Sequence, residues 1–314
     1  MYTSKDILVA SELKKKSDGE PVSGLALLKD AQKKPTKNGS FFIDGSVEIK
    51  GSMMYKVWSN SSAFTKLDTE EYSGLPVWIS GKVNLYGGST SIVIDDLNAV
   101  NIGGSDICED DFFESKYNGQ AYFKGLRDTL IKMSGSDKVV KIFDMILKGN
   151  EERFRVEFAA KGHHDNCKSG LVAHTYKVLY IGKVLKLYPH LQAALGGYDL
   201  LYLGAAIHDI GKVVEYRNGT IQGIGQICSH HTFGVEILFN IKDDIIALYD
   251  EEFFYRLCSI VEQHHGEFEE RPRTIEAYVI HLIDKLESDL QYLDQTLDGF
   301  EKGNQIVAEG FKLC

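Results

Sequence analysis

The residues of this 314-residue chain whose types and spacing could do chemistry are its ten histidines and the carboxylates near them. In the stretch 200–212 an apolar run leads into His208 and Asp209, followed by Gly211 and Lys212. A buried imidazole and carboxylate are costly unless paired, and a divalent metal is the usual partner of both. Lys212 lies three residues after Asp209, on the same helical face, where its charge could hold a phosphate oxygen. The alternative is a helix C-cap at Gly211 beside a surface lysine and a chance His-Asp pair.

Further metal-binding residue types recur in helical contexts along the chain. His174 lies inside an amphipathic stretch, His230 begins an apolar one, and Asp284 interrupts an apolar face together with His281, three residues earlier. The pair His264-His265 ends another such stretch. The candidate ligands in chain order are His174, His208, Asp209, His230, His264, His265 and Asp284.

The N-terminal third of the chain has the pattern of short strands separated by turns. Residues 41–50 and 53–58 flank Gly51-Ser52, and residues 75–86 and 91–94 flank Gly87-Gly88, which predicts two hairpins. An apolar run at 25–28 adds a fifth strand, residues 33–39 are predicted as a loop, and residues 61–67 as a short helix. Five strands with one intervening helix favour a small barrel of the OB type.

After residue 117 the apolar residues recur at helical spacing. Predicted helices cover residues 120–133, 137–147, 170–187, 198–209, 232–239, 251–264 and 274–297. The predicted organisation is an OB-like domain over 1–101, a linker over 102–117 and an all-helical domain over 118–314.

The ordered series of a histidine, a His-Asp pair and a final aspartate resembles the HD superfamily of metal-dependent phosphohydrolases. The arrangement of an OB-like domain before it resembles the YhaM family of bacterial 3′→5′ exoribonucleases more closely. That second resemblance rests on Gly170-Leu-Val-Ala-His174, on His230 before Gly234-Val-Glu236, and on Gln263-His-His-Gly-Glu267. Ser169, Ser229 and the additional His231 depart from that family's pattern.

The resemblance implies roles for the candidate ligands. One metal would be bound by His174, His208, Asp209 and Asp284, and a second by His230, His264 and His265, with Asp209 as the bridge. Manganese is the metal the family suggests, as one or two ions, while magnesium and iron stay open. His231 is predicted to be a surface or helix-start residue rather than a ligand.

Further residues are candidates for contacts with phosphate. Lys212 would act as a point charge, and His164, or its neighbour His163, could touch the scissile phosphate from a loop. Arg271 and Arg273 could grip a phosphate, or could pair with the acidic residues Glu267, Glu269 and Glu270.

The predicted barrel carries aromatic residues that could stack on the bases of single-stranded nucleic acid. Some of them must fill the barrel core, so only two or three are expected to be exposed. The substrate-binding candidates are Phe41, Tyr55, Trp58 and the loop residue Lys37.

Composition narrows the classes of protein that fit this sequence. The formal net charge of −10 argues against a protein that coats duplex nucleic acid, but it leaves a local groove or an acidic metal site open. The N-terminus lacks a signal-peptide pattern, and the five scattered cysteines are typical of a reducing cytoplasm. We therefore expect a cytoplasmic protein without a membrane partner.

The function that the resemblance implies is a metal-dependent phosphodiesterase, a 3′→5′ exonuclease that degrades single-stranded RNA, or DNA, to 5′-nucleotides. Self-association into a homo-oligomer is implied in the same way. Two alternatives stay open. One is an HD phosphohydrolase acting on a small nucleotide, cyclic nucleotide or cyclic oligonucleotide, and the other is a non-catalytic nucleic-acid-binding protein.

Overall fold

The chain folds into two compact units, residues 1–114 and residues 115–314, in a computed structural model. The structure describes residues 2–70, 72–103, 105–107, 109–160, 165–195, 197–221, 223–266, 271–297, 306–308 and 311–313. None of the helices in these ranges is long and apolar enough to cross a membrane.

The first unit is a closed β-barrel. Its strands are β1 (Pro21–Leu28), β2 (Gln32–Pro35), β3 (Phe41–Glu48), β4 (Ser52–Trp58), β5 (Pro76–Tyr86) and β6 (Ser89–Ala99), and its helices are α1 (Ala10–Leu13) and α2 (Ser62–Thr69). The strand order is β1-β5-β6-β4-β3-β2, and β1 also pairs with β3, which closes the sheet. The pairing of β4 with β6 is parallel and the others are antiparallel. This is the topology of an OB barrel, with α2 between its third and fourth long strands, so the predicted barrel is confirmed.

The predicted loop at 33–39 is wrong in its first half, because residues 32–35 form β2. Strand β1 leaves its pairing with β3 after Leu28, and β2 resumes pairing with β3 from Gln32↔Asp44. The chain crosses β3 closely at this break: a Cβ on Gly45 would lie 2.0 Å from the Asp30 carbonyl oxygen. Only glycine fits there, and the sequence pattern did not signal this approach.

The second unit is a bundle of helices. They are α3 (Gly119–Ser134), α4 (Asp137–Leu147), α5 (Glu151–Val156), α6 (Gly170–Ile181), α7 (Pro189–Ala194), α8 (Tyr198–Ile207), α9 (Lys212–Glu215), α10 (His230–Phe239), α11 (Lys242–Leu248), α12 (Glu251–Gln263) and α13 (Ile275–Thr296). Two small hairpins, β7 (Tyr216–Arg217) with β8 (Thr220–Ile221) and β9 (Ile306–Ala308) with β10 (Phe311–Leu313), complete the described elements.

All seven predicted helices are present, with ends that differ by a few residues. The predicted helix at 170–187 is α6 followed by a 3₁₀ segment, Gly182–Leu187. Helices α5 and α11 were not predicted, because each is short and buries a single residue, Phe154 or Ile245, and so carries no amphipathic repeat.

Helix α8 is the centre of the bundle, and every residue from Leu200 to Ile207 is buried. Helix α12 crosses it closely, since a Cβ on Gly204 would lie 2.5 Å from Ile260 Cδ1. The buried apolar run of α8 thus fixes the position of its C-terminal end, where His208 and Asp209 follow.

The segment predicted as a linker is partly packed. Phe112 and Phe113 are buried within the first unit, and the Lys50 amide donates a hydrogen bond of 2.6 Å to the Phe112 carbonyl. The boundary between the compact units accordingly falls at Glu114.

Candidate metal centre

His208 and Asp209 lie in a tight turn between α8 and α9, and this turn presses against α10. Gly211 has φ of −65°, so it does not have the left-handed backbone of a glycine cap. A Cβ at Gly211 would lie 1.8 Å from the His230 carbonyl oxygen and 2.6 Å from the Gly234 nitrogen. The glycine therefore allows close approach of the two segments, which brings Asp209 to the start of α10. The alternative of a helix C-cap at Gly211 is wrong, because Gly211 directly precedes α9 with a right-handed helical backbone.

The carboxylate-imidazole cluster consists of His174, His208, Asp209 and Asp284. His174 Nε2 lies 3.3 Å from His208 Nε2, 3.0 Å from Asp284 Oδ1 and 3.6 Å from Asp209 Oδ2. His208 Nε2 lies 3.4 Å from Asp209 Oδ2 and 3.8 Å from Asp284 Oδ1. Four ligand atoms from α6, the turn after α8 and α13 thus converge on one point.

The four-histidine cluster consists of His230, His231, His264 and His265. One nitrogen of each can be chosen so that all four lie within 4.8 Å of one another. Asp209 Oδ1 lies 3.5 Å from His230 Nε2 and 3.5 Å from His264 Nε2. The two oxygens of Asp209 therefore face the two clusters, one each.

The imidazole ligands are held by hydrogen bonds from the nitrogen that faces away from the clusters. His174 Nδ1 donates to Glu287 Oε2 (2.6 Å) and His230 Nδ1 to Glu215 Oε2 (2.8 Å). The Nδ1 atoms of His208 and His264 donate to main-chain carbonyls, at 2.9 and 3.0 Å. These bonds leave each Nε2 available as a ligand atom, an arrangement typical of metal-binding histidines.

The pKa values of the buried histidines differ between the two clusters. Burial lowers the pKa of His174, but hydrogen bonds with Asp284 and Glu287 overcome this and raise the pKa to about 10. Burial lowers the pKa of His264 to about 3, and burial with the Lys212 charge holds the pKa of His230 well below its ordinary value. His230 and His264 are therefore neutral at pH 7, the form that binds a metal.

The carboxylates of the site stay ionised. Burial raises the pKa of Asp209, yet the charges of Lys212 and His208 outweigh it and hold that pKa well below the ordinary range. Burial likewise opposes ionisation of Asp284, and the hydrogen bond with His174 lowers its pKa. Without a metal, Lys212 compensates the charge of Asp209 and a protonated His174 that of Asp284, and a divalent cation bound here would take over the role of the His174 proton.

These residues fit a divalent metal on two observations. Neighbouring ligands at metal distances of about 2.1 Å are about 3.0 to 3.4 Å apart in octahedral and tetrahedral geometry, close to the spacings in the carboxylate-imidazole cluster. Within the described part of the chain, the buried atoms Asp209 Oδ1, His230 Nε2 and His264 Nε2 have no hydrogen-bond partner. Native proteins rarely leave such atoms unsatisfied, so their convergence indicates a ligand.

Lys212 lies against the carboxylate-imidazole cluster. Its side chain is 11% exposed, and Nζ donates 2.7 Å hydrogen bonds to Asp209 Oδ2 and to the Ala159 carbonyl. The alternative of a solvated surface lysine is wrong.

Residues that the sequence did not single out support the ligands from behind. Glu287 accepts from His174 and pairs with Lys177, 2.7 Å away, which also pairs with Asp165 at 2.7 Å. Glu215 supports His230 in the same way. Glu287 and Lys177 each lie three residues after a ligand on the same helix, and this spacing is the signal that could have found them.

The structure brings all seven predicted ligands together and corrects the prediction for one other histidine. His231 is 6% exposed, and its ring centroid lies 4.1 Å from that of His230 and 4.4 Å from that of His265. The helix-start location was right, but the surface location is wrong because the C-terminal end of α12 covers this turn of α10. His281 is also buried, and its Nδ1 donates to the His264 carbonyl at 3.0 Å.

Other predicted contacts have different outcomes. His163 and His164 lie outside the described residues, as do Glu267, Glu269 and Glu270, the alternative partners of the arginines. Arg271 and Arg273 are exposed just before α13, so their contact with phosphate stays a prediction.

On the barrel, Phe41 and Trp58 are 45% and 41% exposed and Lys37 is exposed, as base-stacking and phosphate contacts require. Tyr55 is wrong as a substrate-binding residue. Its side chain is fully buried in the barrel core, because alternate residues of β4 face inward, and its hydroxyl donates to the Asp30 carbonyl at 2.7 Å.

The fold and this buried cluster of histidines and aspartates define the class of protein. Residues 171–289 match the HD domain family, and they include every ligand of both clusters. The second unit therefore contains an HD domain, and the predicted order of an OB-like barrel followed by an all-helical HD unit is confirmed.

Curated proteins similar to nearly the whole chain make the comparison more specific. They include the 3′-5′ exoribonuclease YhaM of Oceanobacillus iheyensis, 28% identical, with 91% of this chain and 89% of that protein covered. The proteins of the same name from Listeria monocytogenes and Bacillus subtilis are 27% and 25% identical, each with 91% of this chain and 90% of that protein covered. The resemblance to the YhaM family is confirmed.

Solved structures similar to part of the chain include the mitochondrial single-stranded DNA binding protein Rim1 of S. cerevisiae. It is 13% identical with a TM-score of 0.24, and the match covers 27% of this chain and 97% of Rim1. A replication protein A heterotrimer bound to single-stranded DNA is 16% identical with a TM-score of 0.21, covering 28% of this chain and 62% of that one.

Proposed function

We propose that this chain is a metal-dependent phosphodiesterase that degrades single-stranded RNA from the 3′ end and releases 5′-nucleotides. The observation that carries the hydrolytic part is Asp209, whose two oxygens face two separate sets of buried ligand atoms. The polymer substrate and the direction of degradation are carried over from the relatives named 3′-5′ exoribonuclease.

The residues present would hold a dinuclear centre. His174, His208 and Asp284 would complete one ligand set with Asp209 Oδ2, and His230, His264 and His265 would join Asp209 Oδ1 in the other. Divalent ions bound there would lower the pKa of water and offset negative charge on the phosphoryl oxygens. Manganese is the first candidate and magnesium and iron are the others.

Lys212 would contribute a fixed positive charge to phosphate binding. Asp209 and Ala159 accept from two of its three N–H groups, so the ammonium is held in place. Among the described residues the third N–H has no further acceptor, and it would donate to a phosphoryl oxygen. His164, Arg271 and Arg273 stay the candidates for further phosphate contacts.

The outer face of the barrel supports the proposal of a single-stranded substrate. Phe42 and Trp58 are cross-strand partners on β3 and β4 with ring centroids 5.7 Å apart, and Lys56 Nζ lies 5.8 Å from the Phe42 ring centroid. Half-exposed aromatic rings beside a lysine suit bases and phosphates of either RNA or DNA, since every base has a stacking face.

The test uses a 5′-labelled single-stranded RNA oligomer incubated with the full chain and Mn²⁺. We expect a ladder that shortens from the 3′ end with release of 5′-nucleotides. A circular oligomer of the same sequence, which lacks a 3′ end, should stay intact, and a DNA oligomer measures the preference between the two polymers. Cleavage of the circular oligomer would contradict the exonuclease proposal and indicate an endonuclease.

The two alternatives give different results in the same experiment. An intact linear oligomer beside hydrolysis of a nucleotide or cyclic nucleotide would assign the site to a small substrate. A chain that binds the oligomer, holds no metal by elemental analysis and hydrolyses nothing would be the non-catalytic binding protein. His208→Ala should abolish turnover if the chain is the exonuclease or a hydrolase of small nucleotides. It should change nothing if the chain is a non-catalytic binding protein.

A further inference from the structure

The four-histidine cluster contains one more imidazole than the sequence pattern required. His231 follows His230 in the first turn of α10, where adjacent side chains project about 100° apart. Both rings are nevertheless buried, and the His231 ring centroid lies 4.9 Å from that of His264 and 4.4 Å from that of His265. His231 therefore completes a group of four rings rather than facing solvent.

This group lies beside unsatisfied ligand atoms. Asp209 Oδ1, His230 Nε2 and His264 Nε2 are buried and, among the described residues, have no hydrogen-bond partner. His264 is also oriented from a second direction, since its carbonyl accepts from His281 and its Nδ1 donates to Val261. His230 and His264 converge on Asp209 Oδ1, and His231 belongs with them and His265 to a group of four imidazoles whose ligand atoms lie within 4.8 Å of one another.

The donor chemistry of the two clusters differs. The carboxylate-imidazole cluster offers two imidazole nitrogens and two carboxylate oxygens, a mixture that suits manganese and magnesium. The four-histidine cluster offers four imidazole nitrogens and the single oxygen of Asp209. Nitrogen-rich sets suit zinc, iron, cobalt and nickel and bind magnesium poorly.

We propose that His231 is a metal ligand of the four-histidine cluster, and that this cluster retains a transition metal tightly while the carboxylate-imidazole cluster holds an exchangeable ion. The two subsites then differ in both metal preference and affinity. This goes beyond the proposed function because it concerns metal binding alone, which is measured without RNA and stands or falls separately from nuclease activity.

The test loads the full chain with Co²⁺ and measures the metal kept after dialysis against metal-free buffer and during competition with a chelator. We expect the unmodified chain to keep one tightly bound ion that excess Mg²⁺ does not displace. His231→Ala should weaken retention of that ion by about tenfold or more and change the visible absorption of bound Co²⁺, because a nitrogen donor is lost. His190→Ala, which removes an exposed histidine of α7, should change neither.

Two further measurements keep the proposal testable if His231→Ala does not fold. His231→Gln preserves a polar side chain of similar size and should show the same loss of Co²⁺ affinity. Anomalous diffraction from cobalt-loaded crystals of the unmodified chain should place a His231 nitrogen at bonding distance from an ion. Unchanged affinity and spectrum in the variants, or an ion bound without His231, would overturn the proposal, as would displacement of the tight ion by Mg²⁺.

Discussion

The two units of this chain place their functional side chains in opposite environments. Five of the seven ligands of the helical unit are buried, and each of four imidazoles has a fixed hydrogen bond behind it. The aromatic residues Phe41 and Trp58 are half exposed at the ends of two barrel strands, Phe41 at the start of β3 and Trp58 at the end of β4. Because the buried ligands are held in position before any substrate arrives, the effect of losing one ligand on activity is expected to be all-or-none. Each exposed aromatic ring is expected to contribute a small increment to RNA binding.

The largest effect should come from Asp209→Asn. Removing the charge between both clusters should lower kcat by about a thousandfold or more, while binding of single-stranded RNA by the barrel stays within about twofold. Asp289→Asn, on the exposed face of α13, is the matched control and should leave kcat unchanged. Single-turnover cleavage and binding titrations of both variants measure the difference. Retention of near-normal kcat would remove Asp209 from the chemistry.

Metal removal should lower the stability of the helical unit and leave that of the barrel unchanged. A ligand at about 100 times its Kd stabilises the folded state by about 2.7 kcal/mol, so chelation should lower the Tm of the helical unit and abolish hydrolysis. Amide hydrogen exchange should rise in α8, α10 and α12 and stay constant in β1–β6. Equal changes in both units would mean that the metal is not confined to the HD domain.

Replacing a residue that orients a ligand should reduce activity less than replacing the ligand itself. Glu287→Gln weakens the hydrogen bond that orients His174, and we expect metal affinity to fall by about 10- to 100-fold. Added Mn²⁺ should restore kcat, since the ligand atoms themselves remain. Asp294→Asn, an exposed change on the same helix, serves as the control. The measurement is the Mn²⁺ dependence of the cleavage rate.

A graded effect is expected on the barrel. Trp58→Ala should weaken binding of an RNA oligomer by about 5- to 150-fold, the equivalent of about 1–3 kcal/mol for one stacked base. Hydrolysis of a dinucleotide should be unaffected. Tyr188→Ala removes an exposed aromatic ring from the helical unit and should not change oligomer affinity. Equal losses in the two variants would mean that the barrel face has no special role.

The smallest effect should come from Tyr55→Phe, which tests the corrected role of this residue. Loss of its hydrogen bond to the Asp30 carbonyl should lower the free energy of unfolding of the barrel by about 1 kcal/mol. RNA affinity should match that of the unmodified chain. Denaturant unfolding and an RNA titration check both parts, and a selective loss of RNA binding would return Tyr55 to the substrate face.

The sequence was sufficient for the elements and for most ligands, because both follow local patterns. Helical spacing predicted α3, α4 and α12. The apolar run of α8 that ends in His208 and Asp209 indicated a metal site, because burying such a pair is costly without a cation. It missed Glu287 and Lys177, which look like ordinary charged residues of amphipathic helices until His174 and Asp165 are packed against them.

The sequence by itself therefore determined the two-unit architecture and the chemistry of the donor atoms. Only the tertiary structure decided that Gly211 serves close helix approach, that Tyr55 faces the barrel core, and that His231 joins three other imidazoles. The physical reason is the same in each case. A repeat along the chain reports which face of an element is apolar, but burial of a particular side chain depends on a segment distant in sequence that covers it.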